Sequence, residues 1–187
     1  MIESENDLIY IDAFRISDYT VQSQAIEMYR DGKNLETIVD FCKKQQMFKI
    51  AEKLKKEANL SKRFATRTFE NFNTENEIQK YAYNKAKNYA DNIDEVIKNG
   101  TGLIFAGNGC VGTGKTHLAC AIANELLDKG YPVKVINVTK MIYQIKDDFN
   151  VDEYLKVPIL LIDDLGKENG TQWVCETLYL IFNERYE

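Results

Sequence analysis

The run Gly109-Cys110-Val111-Gly112-Thr113-Gly114-Lys115-Thr116 constrains this chain more than any other stretch. It fits G-x-x-x-x-G-K-[ST], a spacing with a physical reason behind each position. Glycines let the backbone curl until successive N–H groups point inward at phosphate oxygens. The helix that follows presents a positive N-terminus to the same anion. Lys115 reaches β- and γ-phosphates, and Thr116 offers a hydroxyl to a magnesium ion. His117, next along the helix, joins Gly109 to Thr116 among the nucleotide-binding candidates. ATP and Mg²⁺ are the cofactors this pattern implies.

A second element supports the first. Val157-Pro158-Ile159-Leu160-Leu161-Ile162-Asp163-Asp164 is an apolar run ending in paired acids. Open α/β sheets bind ligands at the carboxyl ends of their strands. Asp163 is expected to hold Mg²⁺, usually through water. Asp164 is expected to orient and deprotonate an attacking water.

Around these motifs strand and helix patterns alternate. Strands are expected at Gly102–Ala106, Val133–Val138 and Val157–Asp163. Helices are expected over Asn76–Lys98, over Lys115–Asp128, from Lys140 to about Phe149 with Thr139 as cap, and over Thr171–Tyr186. Runs such as LIFA and ILLI suit parallel strands covered on both faces. The fold class is α/β: a parallel sheet flanked by helices, joined by crossover connections.

The first sixty residues read differently. Asp7–Phe14 suits a short strand or turn, Val21–Arg30 a helix, and Asn34 to about Ala58 one or two amphipathic helices. Residues 61–72, SKRFATRTFENF, interleave apolar and polar residues and read as an extended connector. The boundary is set near residue 60, between a helical N-terminal partner-binding region (1–60) and an ATP-binding domain (61–187). Net charge is −5, which argues against a generally basic nucleic-acid binder, but Lys43–Arg67 carries nine basic residues against Glu52 and Glu57. Such a patch contacts phosphates, an acidic partner or only water. Cys42, Cys110, Cys120 and Cys175 form no C-x-x-C pair, and His117 is the sole histidine, so no zinc site is expected. No signal peptide and no membrane-crossing run is evident, which places the chain in the cytoplasm.

GTGKTHLACAIAN and LLIDDLGKENGTQWVCETLYLIFNERYE resemble the DnaC/IstB-like branch of the AAA+ ATPases, as does TFENF upstream. The resemblance covers roughly residues 62–187. It implies a P-loop NTPase core in which Gly109–Thr116 bind the triphosphate and Asp163 the magnesium. Asp164 then stands where a catalytic glutamate is usual. It places Phe69 and Phe72 near the adenine, where core packing is the other reading. It sets helix Lys140–Phe149 against single-stranded DNA through Lys140 and Lys146, where a solvated face is the other reading. There are departures. The loop after Gly107-Asn108 is two residues longer than usual. The clustered cysteines of relatives with an N-terminal zinc module are missing. The fourth strand with its polar sensor, the arginine finger and the fifth strand of AAA+ proteins are not found before Glu187, so an incomplete sheet is expected, in a truncated product or fragment or in a chain whose sheet a partner completes.

The resemblance implies an ATPase that loads a replicative helicase onto single-stranded DNA, working as a homo-oligomer, or the ATP-binding helper of a transposase. A small-molecule kinase shares the loop, but no arginine-rich lid is present. A non-hydrolysing nucleotide-binding adaptor is the third class. An arginine finger is typically worth about 10³–10⁵ in rate, so slow hydrolysis by the chain alone is expected.

Overall fold

The computed structural model describes residues 19–58, 60–107 and 112–186. The expected element at Asp7–Phe14 lies outside them. The chain divides into two compact units between Lys53 and Leu54, inside a long helix rather than after it.

In the first unit, α1 (Tyr19–Arg30) and the start of α2 (Leu35–Glu57) close a small core of Val21, Ala25, Ile38 and Cys42. Asn34 caps α2, its carboxamide oxygen accepting from the Thr37 N–H at 2.8 Å. One helix, not two, spans the second amphipathic pattern.

The second unit is built on α6 (Lys115–Asp128), which begins and ends where its sequence pattern places it. KTHLACAIANELLD is apolar nearly all round, and Leu118, Cys120, Ala121, Ile122, Ala123, Leu126 and Leu127 are buried. A helix with so little polar face must be wrapped on several sides. α4 (Glu77–Asp91) contributes Ala86 and Ala90, and β1 (Val133–Asn137) contributes Val133. Gly130, at φ 85°, ends α6. Its N–H bonds Leu127 and the Tyr131 N–H bonds Leu126, a left-handed cap that favours glycine.

A second cluster lies under α7 (Val138–Asp148), α8 (Asp152–Leu155) and α9 (Gln172–Tyr186). Met141, Tyr154 and Ile181 are fully buried there. Arg185 of α9 donates to four carbonyls, those of Tyr154, Leu155, Val157 and Pro158, at 2.8–3.2 Å. Burial lowers its pKa. The arginine fixes the backbone just ahead of β2 (Ile159–Asp163).

β1 and β2 pair in parallel, with Val133 opposite Ile159 and Asn137 opposite Asp163. Among the described residues these are the only two strands. The expected strand Gly102–Ala106 does not form. Ile104 is 86% exposed, and only Phe105 of this stretch packs on the core. The physical reason is pairing: a strand needs a neighbour for its N–H and C=O groups, and none of the described residues supplies one here.

Four smaller expectations are also corrected. The helix over 76–98 breaks at Asn92 into α4 and α5 (Ile93–Lys98). The connector 61–72 is not extended throughout, since Lys62–Ala65 winds into a single helical turn, α3. α7 starts at Val138, and its cap is Asn137, whose Oδ1 accepts from the Thr139 N–H at 3.0 Å. The strands are one or two residues shorter than expected, and β2 is half-buried rather than covered on both faces.

Candidate nucleotide site

The site forms where the start of α6 meets the carboxyl ends of β1 and β2. Gly112 and Gly114 take φ 84° and 93°, left-handed values that let the chain turn tightly into the helix. A Cβ on Gly114 would sit 2.6 Å from the Phe72 ring, so that ring rests on the glycine's backbone. Gly109, Cys110 and Val111 lie outside the described residues. Lys115 follows at the first helical position, with Nζ 3.0 Å from the Thr113 hydroxyl. A Cβ on Gly107 would come within 3.4 Å of the same Nζ, so the backbone ahead of the loop passes close to the lysine.

Thr116 and Asp163, 47 residues apart in sequence, are joined directly. The Thr116 hydroxyl donates to Asp163 Oδ1 at 2.9 Å, in a partly buried setting. Asp164 stands one residue beyond the strand at φ 60°, a left-handed conformation that costs most residues about 1–2 kcal/mol. Side-chain bonds hold it there. Asn137 Nδ2 donates to Oδ2 at 3.1 Å, and Lys167 Nζ donates to Oδ1 at 2.6 Å. Asn137 thus caps α7 with its oxygen and steadies Asp164 with its nitrogen.

The remaining candidates fall around this centre. His117 turns its Nε2 to the Thr68 carbonyl and the Asn71 carboxamide oxygen, each at 2.9 Å, and not along the loop. Phe72 contacts His117 edge-on at 5.2 Å and stacks with Tyr83 at 6.0 Å. Phe69 is buried, edge-on to Tyr83 at 5.5 Å. Lys140 and Lys146 are exposed on α7. Asn137, Lys167 and Asn71 were not singled out from the sequence. The signals available were an asparagine at a strand end and a lysine in the turn after DDLG, both too common to stand alone.

A magnesium ion takes hard oxygen ligands and keeps several waters, bound by one or two carboxylates plus phosphates. A threonine hydroxyl and a carboxylate already within hydrogen-bond reach suit that demand. No cluster of three His, Cys, Asp or Glu side chains suited to a metal occurs among the described residues, so no all-protein cage competes with this arrangement. Nor is any helix among them long and apolar enough to cross a membrane.

Parallel strands whose carboxyl ends face a glycine-led helix are the framework of nucleotide-binding α/β proteins with a phosphate loop. Within that class, residues 16–187 match the family described as IstB-like ATP binding protein, and the chain belongs to that family. It is 35% identical over 115 residues to the replicative helicase loader DnaC of Escherichia coli K12, covering 57% of this chain and 45% of that protein. It is 32% identical over 126 residues to the uncharacterised protein YdaV of the same strain, covering 63% and 49%. The phage-like element PBSX protein XkdC of Bacillus subtilis 168 is 34% identical over 134 residues, again covering 63% and 49%. The chain spans about half the length of these curated relatives.

Proposed function

We propose that the chain binds Mg-ATP at the junction of α6, β1 and β2 as an AAA+-type ATPase, and that binding governs its hold on a replicative helicase during loading onto single-stranded DNA. The observation that carries the nucleotide reading is the Thr116–Asp163 hydrogen bond, which brings the two halves of the motif into one site. The helicase reading rests on the relatives named as DnaC loaders, which are 34–35% identical to this chain over 111–115 residues.

In this reading residues 109–114 wrap the phosphates with backbone N–H groups, and Lys115 places its charge against them. Thr116 and Asp163 hold Mg²⁺. The ion they would hold supplies positive charge against the triphosphate. Asp164 orients the attacking water. Its two oxygens accept bonds from Asn137 and Lys167, which orient the carboxylate and leave each oxygen a further lone pair to face the water. Single-stranded DNA is met by Lys140, Tyr143 and Lys146, all exposed on α7; Tyr143 and Lys146 line a groove of about 180 Å³ together with Trp173, which supports this reading. The first unit contacts the helicase, assembly is homo-oligomeric, and the compartment is the cytoplasm.

The deciding measurement is calorimetric titration of Mg-ATP into the chain and into Lys115→Ala. Binding near micromolar, weakened about a hundredfold or more in the variant, is the expected outcome, because one buried charge-assisted phosphate contact is worth about 1.5–3 kcal/mol and the lysine makes several. Equal binding by the two proteins would remove the phosphate-loop reading.

A further inference from the structure

One face of α6 is fastened to residues 64–72 in a way that the nucleotide reading does not require. His117, Ala121 and Asn124 stand at i, i+4 and i+7, so they share that face. Asn124 is 5% exposed, and its Nδ2 donates to the carbonyls of Phe64 at 3.0 Å and Arg67 at 2.8 Å. At the other end, both groups facing His117 Nε2 are acceptors, so that nitrogen carries the proton and donates to the Thr68 carbonyl and to Asn71 Oδ1. Between them Ala121 is buried. Asn71 ties the segment to itself: its Oδ1 accepts from the Thr68 N–H at 2.9 Å, and its Nδ2 donates to the Thr66 carbonyl at 2.7 Å. The Phe72 ring then closes on Gly114, at the point where the loop becomes helix.

Three of the four acceptors facing α6 are main-chain carbonyls. Such bonds fix the path of a segment whatever side chains it carries. His117 is also the residue immediately after Thr116, which bonds Asp163. The first turn of α6 is thus tied on one side to the strand end and on the other to residues 68–72. A close-packed helix moves as a body, so a displacement of its first turn reaches the segment through these bonds.

We propose that residues 64–72 are an output arm of the nucleotide site, with His117 and Asn124 as the positioning residues that couple α6 to it and Asn71 as the acceptor that completes the link. The proposal rests on the ATP-binding reading above. Occupancy of the loop orders the arm. Cutting the link leaves nucleotide bound and the arm unresponsive.

The test is amide hydrogen exchange across the whole chain, with and without Mg-ATP, read at residues 64–72 and separately along α6. Mg-ATP is expected to slow exchange at 64–72 in the parent by about fivefold or more, the lower range of an allosteric coupling. In Asn71→Ala, an exposed position on the arm, Mg-ATP affinity measured by calorimetry stays within about threefold of the parent, well inside one kcal/mol. There α6 is still protected while 64–72 no longer responds. Asn71→Asp keeps the oxygen that accepts from His117 while losing the donor to the Thr66 carbonyl, and restores the response, which a merely destabilised arm would not show. Protection at 64–72 that survives Asn71→Ala overturns the coupling while leaving ATP binding intact. A parent chain that binds no Mg-ATP overturns both readings at once.

Discussion

LIFA, ahead of the phosphate loop, and ILLI, ahead of Asp163, are nearly the same apolar run, yet only the second becomes a strand. ILLI lies beside β1 in register, has α9 behind it, and is steadied at its start by Arg185. LIFA has no ladder neighbour among the described residues and leaves Ile104 in water. Composition supplies a preference for extended backbone, but the neighbouring strand that shares its hydrogen bonds makes the strand. The two halves of the site therefore differ in how they are held. Asp163 and Asp164 are fixed by a sheet, a cap and an ion pair. The loop is held through α6, Phe72 and the arm.

Substitutions sharpen this contrast in order of size. Ile181→Ala, at a side chain with no exposure beneath β2, is expected to cost about 2–5 kcal/mol in chemical denaturation. A cost under 1 kcal/mol would mean that the sheet-side core is no tighter than the loop side. Asn137→Ala removes the α7 cap and one bond to Asp164, and about 1 kcal/mol is expected from the cap alone. The same variant loosens the hold on Asp164, so ATP turnover measured beside stability should fall. Ile104→Thr is expected to change stability by less than about 0.5 kcal/mol, the size typical of an exposed site. A loss of several kcal/mol there would show that LIFA is covered in solution and would end the contrast.

How much of this was legible in the residues follows from the range of the interactions. α6 was legible to the residue, because its cap glycine, its apolar content and Gly130 all lie within one short stretch. The existence of β1 and β2 and their parallel sense were legible from apolar runs a helix-length apart, but their pairing was not. LIFA was misread because ladder partners are not written in a strand's own residues. Asn137 as cap in place of Thr139 was missed by two positions, since both residue types cap helices and only the backbone turn decides. The Thr116–Asp163 meeting was anticipated from motif spacing, whereas the hold of Asn137 and Lys167 on Asp164 was not. Those contacts depend on which strand lies beside which, a tertiary fact with no local pattern.

The backbone at Asp164 also acts as a filter on which acid can stand there. At φ 60° an aspartate is admitted several-fold more readily than most non-glycine residues, because its short polar side chain bonds locally. Aspartate at this position is thus not a glutamate that lost a methylene. It is the acid that this turn accepts, and anyone exchanging the two changes the shape of the chain together with the reach of the carboxylate.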